Sequence, residues 1–210
     1  MFNMSSMILF ITSSWLLILS PGPDSIYVLT RGISLGRRAG IISAIGVTLG
    51  IFVHIAFAAL GISVILMTSS TLFLIVKAIG TVYLIYLGIR TIFDKKIVVL
   101  KKTVVNEKQS SIFLQGMLSN TLNPKVALFF LSYLPQFVNK NSYSGPMQML
   151  LLGILFAVFT VIYLVLLGYF AGKIENWMSE RDAIMNRIRI ISGSILIALG
   201  IRLAFVQRSQ

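Results

Sequence analysis

The chain has 210 residues, 57% of them hydrophobic and only 11% charged, with a net charge of +12 and a mean hydropathy of +0.91. A soluble domain carries roughly 25% charged residues to solvate its surface, so this composition excludes a water-soluble globule and makes lipid the solvent for most of the chain. The basic residues sit in short stretches between apolar spans, the pattern of cytoplasmic loops and not of a nucleic-acid surface.

Twenty-odd apolar residues at 1.5 Å each match a hydrocarbon core about 30 Å thick. Six such spans follow in chain order, at about 4–30, 39–67, 72–93, 111–137, 146–170 and 188–205. No Lys or Arg precedes Arg31 and no small-x-small site follows Leu19, so the first span reads as a retained membrane helix. Ser144, before Gly145 and Pro146, is available to cap the fifth. The one long polar connection, 94–110, divides the chain into a first half at 1–93 and a second at 111–210. Cysteine is absent, which removes disulfides, thiolate metal sites and thiol redox chemistry.

Lysine and arginine counts orient the spans. Arg31, Arg37 and Arg38 lie in the first connection, Arg90, Lys95, Lys96, Lys101, Lys102 and Lys108 in the third, and Lys173, Arg181, Arg187 and Arg189 in the fifth. The opposite side holds only Lys140, Arg202 and Arg208. Six crossings with both termini outside a cytoplasmic membrane fit this alternation.

The third and sixth spans end alike. Tyr83 to Phe93 and Ile195 to Phe205 match at seven of eleven positions, at a constant offset of 112. Apolar runs match easily by chance, but the aligned Gly-Ile-Arg and terminal Phe are harder to dismiss. Three spans per half is odd, so the halves insert upside down relative to each other, as in many transporters. The expected fold class is therefore all-α integral membrane, with six helices in two inverted three-helix repeats.

The first span of each half contains a helix breaker, Ser20-Pro21-Gly22-Pro23-Asp24 and Asn120-Thr121-Leu122-Asn123-Pro124-Lys125. A proline inside a helix removes a hydrogen bond and clashes with the preceding turn, costing ~3 kcal/mol or more. In lipid the freed backbone groups persist only against protein or a wet cavity. Each break also starts a new helix whose unpaired N–H groups suit an anion. Prolines often merely kink membrane helices; two breaks in corresponding spans, each followed by an ionisable residue, argue for a site.

Asp24 is the only acid away from a cytoplasmic loop, and a charge placed there is expected to face the interior. Burial opposes its charge and a helix N-terminus favours it, a balance that suits a proton carrier; an acid capping the second helix segment is the other reading. Lys125 has three readings: a pair with Asp24, a partner for a substrate carboxylate, or a lysine snorkelling to an interface. His54, the only histidine, either relays protons or is neutral and hydrogen-bonded between helices. Gly46 with Gly50, and Gly168 with Gly172, have the spacing of close helix packing.

These motifs resemble the LysE/RhtB family of amino-acid exporters. The likeness rests on Pro21-Gly22-Pro23-Asp24, on Gly36-Arg37-Arg38-Ala39-Gly40, and on the glycine-spaced second span ending in Val53-His54. In the second half it rests on Phe113-Leu114-Gln115-Gly116, Asn120, Leu122 to Phe130 with its Asn123-Pro124-Lys125, and Leu134-Pro135-Gln136-Phe137-Val138. The resemblance implies proton-driven export of small amino acids or their derivatives from the cytoplasm.

The reading that follows is a secondary exporter with alternating access and an amino-acid substrate, in a lipid bilayer, with no cofactor and no nucleic acid. Pro21, Gly22, Pro23, Asp24, Asn120, Asn123, Pro124 and Lys125 form its substrate site, and Asp24 and His54 handle protons. An intramembrane enzyme fits poorly, since one histidine, no cysteine and one intramembrane acid build neither a metal site nor a carboxylate dyad. A scaffold would have no need of broken helices at mid-depth, and saturable gradient-dependent flux separates a carrier from a channel. The sequence leaves the substrate, the choice of proton or sodium and any homo-oligomer open.

Overall fold

A computed structural model describes residues 4–59, 70–93, 107–138, 145–171, 173 and 182–205. Among these residues every regular element is helical: α1 Met4–Leu19, α2 Pro23–Leu35, α3 Arg37–Ala59, α4 Ser70–Phe93, α5 Gln109–Thr121, α6 Pro124–Leu128, α7 Gly145–Tyr169 and α8 Asp182–Phe205. A π-helical turn (Phe129–Tyr133) and a 3-10 turn (Leu134–Phe137) follow α6. Pro135 accounts for the change of winding, because it cannot donate to the carbonyl four residues back.

Among the described residues two helices, α3 and α7, are long and apolar enough to cross a membrane alone; α1 with α2, bent by 49°, makes a third crossing if the pair is one span. On α7 the large apolar residues Leu151, Ile154, Val158, Ile162 and Leu166 are exposed. A helix apolar on its outward face as well as its inward one belongs in lipid. The expected cap Ser144, the linker 94–106, Gly172 and the charges at 95, 96, 101, 102, 140, 181 and 208 lie outside the described residues. Arg31 is not a loop charge as its sequence position suggested. It lies within α2, and the turn to α3 is the single residue Gly36, whose φ of +88° glycine adopts without strain.

Helix α3 packs between α5 and α7. A Cβ on Gly50 would lie 2.6 Å from the Met117 carbonyl oxygen and 2.8 Å from the Asn120 Cβ, so α3 and α5 touch backbone to backbone there. Helices α4 and α8 form the other tight pair. A Cβ on Gly88 would meet Gly193 and Ile197, and one on Gly200 would meet Ile85 and Thr81. Between these groups an aromatic cluster of Phe10, Phe129, Phe130, Tyr133, Phe137 and Phe156 fills the core.

Candidate functional site

Helix α1 ends at Leu19, and its successor starts at Pro23, after an extended Gly22 (φ −158°, ψ −177°). Proline suits this first helical position because its missing N–H would have no partner there. Asp24 is in the first turn, but the N-cap is Gly22 and no side chain caps the helix. Asp24 therefore does not serve as the cap that the sequence offered as its second role.

The second interruption falls between Thr121 and Pro124 and is built differently. Asn123 caps α6, its Oδ1 accepting from the Lys125 backbone N–H at 3.0 Å. Its other side-chain atom faces the first break, where Nδ2 donates to Asp24 Oδ2 at 3.0 Å. Asn120 Nδ2 donates to the same oxygen at 2.7 Å. Asp24 Oδ1 is buried with no hydrogen-bond partner.

Lys125 is buried, which overturns the snorkelling alternative. Its Nζ donates to the Ser20 carbonyl at 2.6 Å, a group freed where α1 ends. Among the described residues the one ion pair is Arg31 with Glu107, so Lys125 and Asp24 are not paired directly. His54 lies behind Asn120. Because a carbonyl only accepts, His54 Nε2 donates to Asn120 O, at 3.0 Å, and the ring stacks on Phe130. This is the interhelical hydrogen bond that was its second sequence reading.

Asp24, Asn120, Asn123, Lys125 and Gly22 line a cavity of about 30 Å³, room for about one or two waters. The sequence motifs thus come together, although Pro21, Pro23 and Pro124 shape the chain and do not line the space. Sequence reasoning missed the opposite wall, formed by Phe156, Thr160, Tyr163 and Leu164 on one face of α7. Thr160 and Tyr163 are polar residues in an otherwise apolar stretch of span five, a signal that was available. Leu17, Ile18, Ile51 and Val126 complete the apolar lining.

Side-chain cross-links join the elements on either side of the cavity. On one side Tyr27 donates to the Ile112 carbonyl at 2.7 Å, and Arg31 donates to Glu107 and Gln115, each at 2.6 Å. On the other, Tyr133 joins Ser13 of α1 at 2.7 Å and accepts from Arg202 of α8 at 2.5 Å.

A family model described as LysE type translocator matches residues 15–207. The chain belongs to that family. This translocator is 30% identical to the uncharacterized membrane protein YrhP of Bacillus subtilis, over 95% of this chain and 98% of that one. It is 25% identical to a leucine efflux protein of Klebsiella pneumoniae, over 98% of each chain, and 24% identical to a leucine efflux protein of Enterobacter, over 93% of each. No solved structure matches. Family and relatives mark this translocator as a multi-pass membrane transporter and not an enzyme, of a family that exports amino acids.

Proposed function

We propose that this translocator exports a small neutral amino acid, leucine-like in class, by proton antiport across the cytoplasmic membrane. The observation that carries the reading is the state of Asp24. Two amide groups hold its Oδ2, while Oδ1 has no partner, beside a cavity whose other charged lining residue, among the described residues, is Lys125. One carboxylate and one ammonium are the complement of a zwitterion. Asp24 takes the substrate ammonium in one state and a proton in the other, and it cannot hold both. Lys125 and the open N-terminus of α2 take the substrate carboxylate. His54 keeps Asn120 in place; to relay protons through Nε2 it would have to release the Asn120 carbonyl.

Alternating access between two inverted three-helix halves supplies the movement. The cavity of about 30 Å³ is too small for an amino acid, so substrate binding requires the surrounding helices to move. The pseudo-twofold is supported by the α4–α8 contact. The neighbours of Gly88, at 193 and 197, become 81 and 85 when shifted by 112, and these are neighbours of Gly200. Such reciprocity is expected of two segments related by a twofold axis. The breaks are reciprocal as well: Asp24 meets Asn123, and Lys125 lies against Gly22. The distribution of basic residues along the sequence supports an orientation with both termini outside.

Purified chain in liposomes with a panel of labelled amino acids tests the reading. Efflux should follow an imposed proton gradient and stop with a protonophore. Sodium-driven flux, or flux indifferent to either gradient, would overturn the coupling.

A further inference from the structure

The seam between α2 and α5 holds a group that the central site does not use. Asp24, Tyr27 and Arg31 are spaced along one face of α2, and each bridges to the second half, Arg31 through Gln115. Arg31 is the outermost, about 10 Å along the helix from Asp24. Its guanidinium lies 5.3 Å from the Tyr27 ring centroid, and its side chain and that of Glu107 are 21% and 25% exposed, so the pair is partly reached by solvent.

The pairing is incomplete on both sides. Arginine presents a planar fork that matches the two oxygens of one carboxylate. Here the fork is divided, with Nη1 on Glu107 Oε1 and Nη2 on the neutral Gln115 amide oxygen. Glu107 Oε2 is buried and has no hydrogen-bond partner. The guanidinium lacks a bidentate carboxylate, and the carboxylate lacks a second donor.

A zwitterionic amino acid supplies both. We propose that Arg31 and Glu107 form an entry subsite for the α-carboxylate and α-ammonium of the substrate, which opens the α2–α5 seam by exchanging partners. The substrate carboxylate takes the Arg31 fork, and the ammonium takes Glu107. One ion pair breaks and two form, so the seam loosens when substrate is present and stays shut when it is absent. Protons and small ions, lacking this double charge, do not open it. The subsite rests on the export reading and on the orientation that puts this end of α2 in the cytoplasm.

The test uses the full chain in inside-out vesicles, with labelled leucine, threonine, homoserine and lysine as probes. Arg31→Gln and Glu107→Gln should each raise KM about tenfold, the loss expected for one charge-assisted hydrogen bond. The maximal rate should change less than about twofold, since these groups act before the central site. The charge-swapped pair Arg31→Glu with Glu107→Arg separates a subsite from a structural tie. It restores an ion pair but reverses the polarity next to Gln115 and Tyr27, so KM should remain high. Wild-type KM in the single variants, or recovery of KM in the swapped pair, overturns the subsite. A wild-type chain that moves no member of the panel overturns the export reading itself.

Discussion

Lys125 donates to the Ser20 carbonyl at 2.6 Å, so the cation of the second break closes the broken end of the first. Removing that donor leaves a buried carbonyl without a partner, which costs about 1.5–3 kcal/mol where the donor is charged. Lys125→Met should therefore lower the melting temperature in detergent as well as abolish transport. Transport lost at an unchanged melting temperature would mean that Ser20 finds another donor.

Asp24→Asn keeps the shape of the side chain and removes its charge. It also sets a third amide among Asn120 and Asn123, which hold Oδ2 only by donating. Proton-driven efflux should fall at least about a hundredfold, the scale on which a positioned proton carrier contributes. Undiminished proton-driven efflux of every substrate in proteoliposomes would sink the role given to Asp24.

Gly50 touches neither the cavity nor its charged residues, yet Gly50→Ala should impair transport. The added methyl would stand 2.8 Å from the Asn120 Cβ and 2.6 Å from the Met117 carbonyl oxygen. Overpacking of this kind costs about 1–3 kcal/mol, and relief requires Asn120 to withdraw from Asp24. A lower melting temperature together with a reduced rate is the expected pair of results. A purely stability-related defect, with normal rate per folded molecule, would show that α5 can shift without moving Asn120.

Tyr133→Phe removes the hydroxyl that joins Ser13 and Arg202 on the other side of the cavity. The chain has no cysteine, so Ser25→Cys, placed in the cavity wall, becomes a single reporter. In the Tyr133→Phe background a membrane-impermeant maleimide added outside should label it several-fold faster than in the parent. Equal labelling rates would mean that the three-residue link does not close that side.

The two helix interruptions could be read in the chain because proline and glycine act locally. Pro23 and Pro124 begin the new helices, and Asp24, Asn120, Asn123 and Lys125 stand where the motifs put them. The partners could not be read. Lys125 had three plausible destinations, and the crossing of the two breaks gives it another, the Ser20 carbonyl. Arg31 counted as a loop charge, since its tie to Glu107, 76 positions away, depends on how α2 lies against α5. The α7 wall was hidden for another reason. Phe156 and Leu164 are indistinguishable by type from the lipid-facing Val158 and Leu166, and burial alone separates them.

The one-residue turn at Gly36 leaves α2 and α3 no slack. In the proposed alternating access, Pro21–Gly22 would act as the hinge and Gly36 as the elbow of a crank, with the break as its pivot. Rotation of α2 about that pivot would swing α3 as well, and α3 bears on α7 where Gly40 meets Gly168. A small movement at the central site would thereby be turned into a larger one across the width of the protein. Lengthening the elbow by even one flexible residue would let the pivot turn without moving the load.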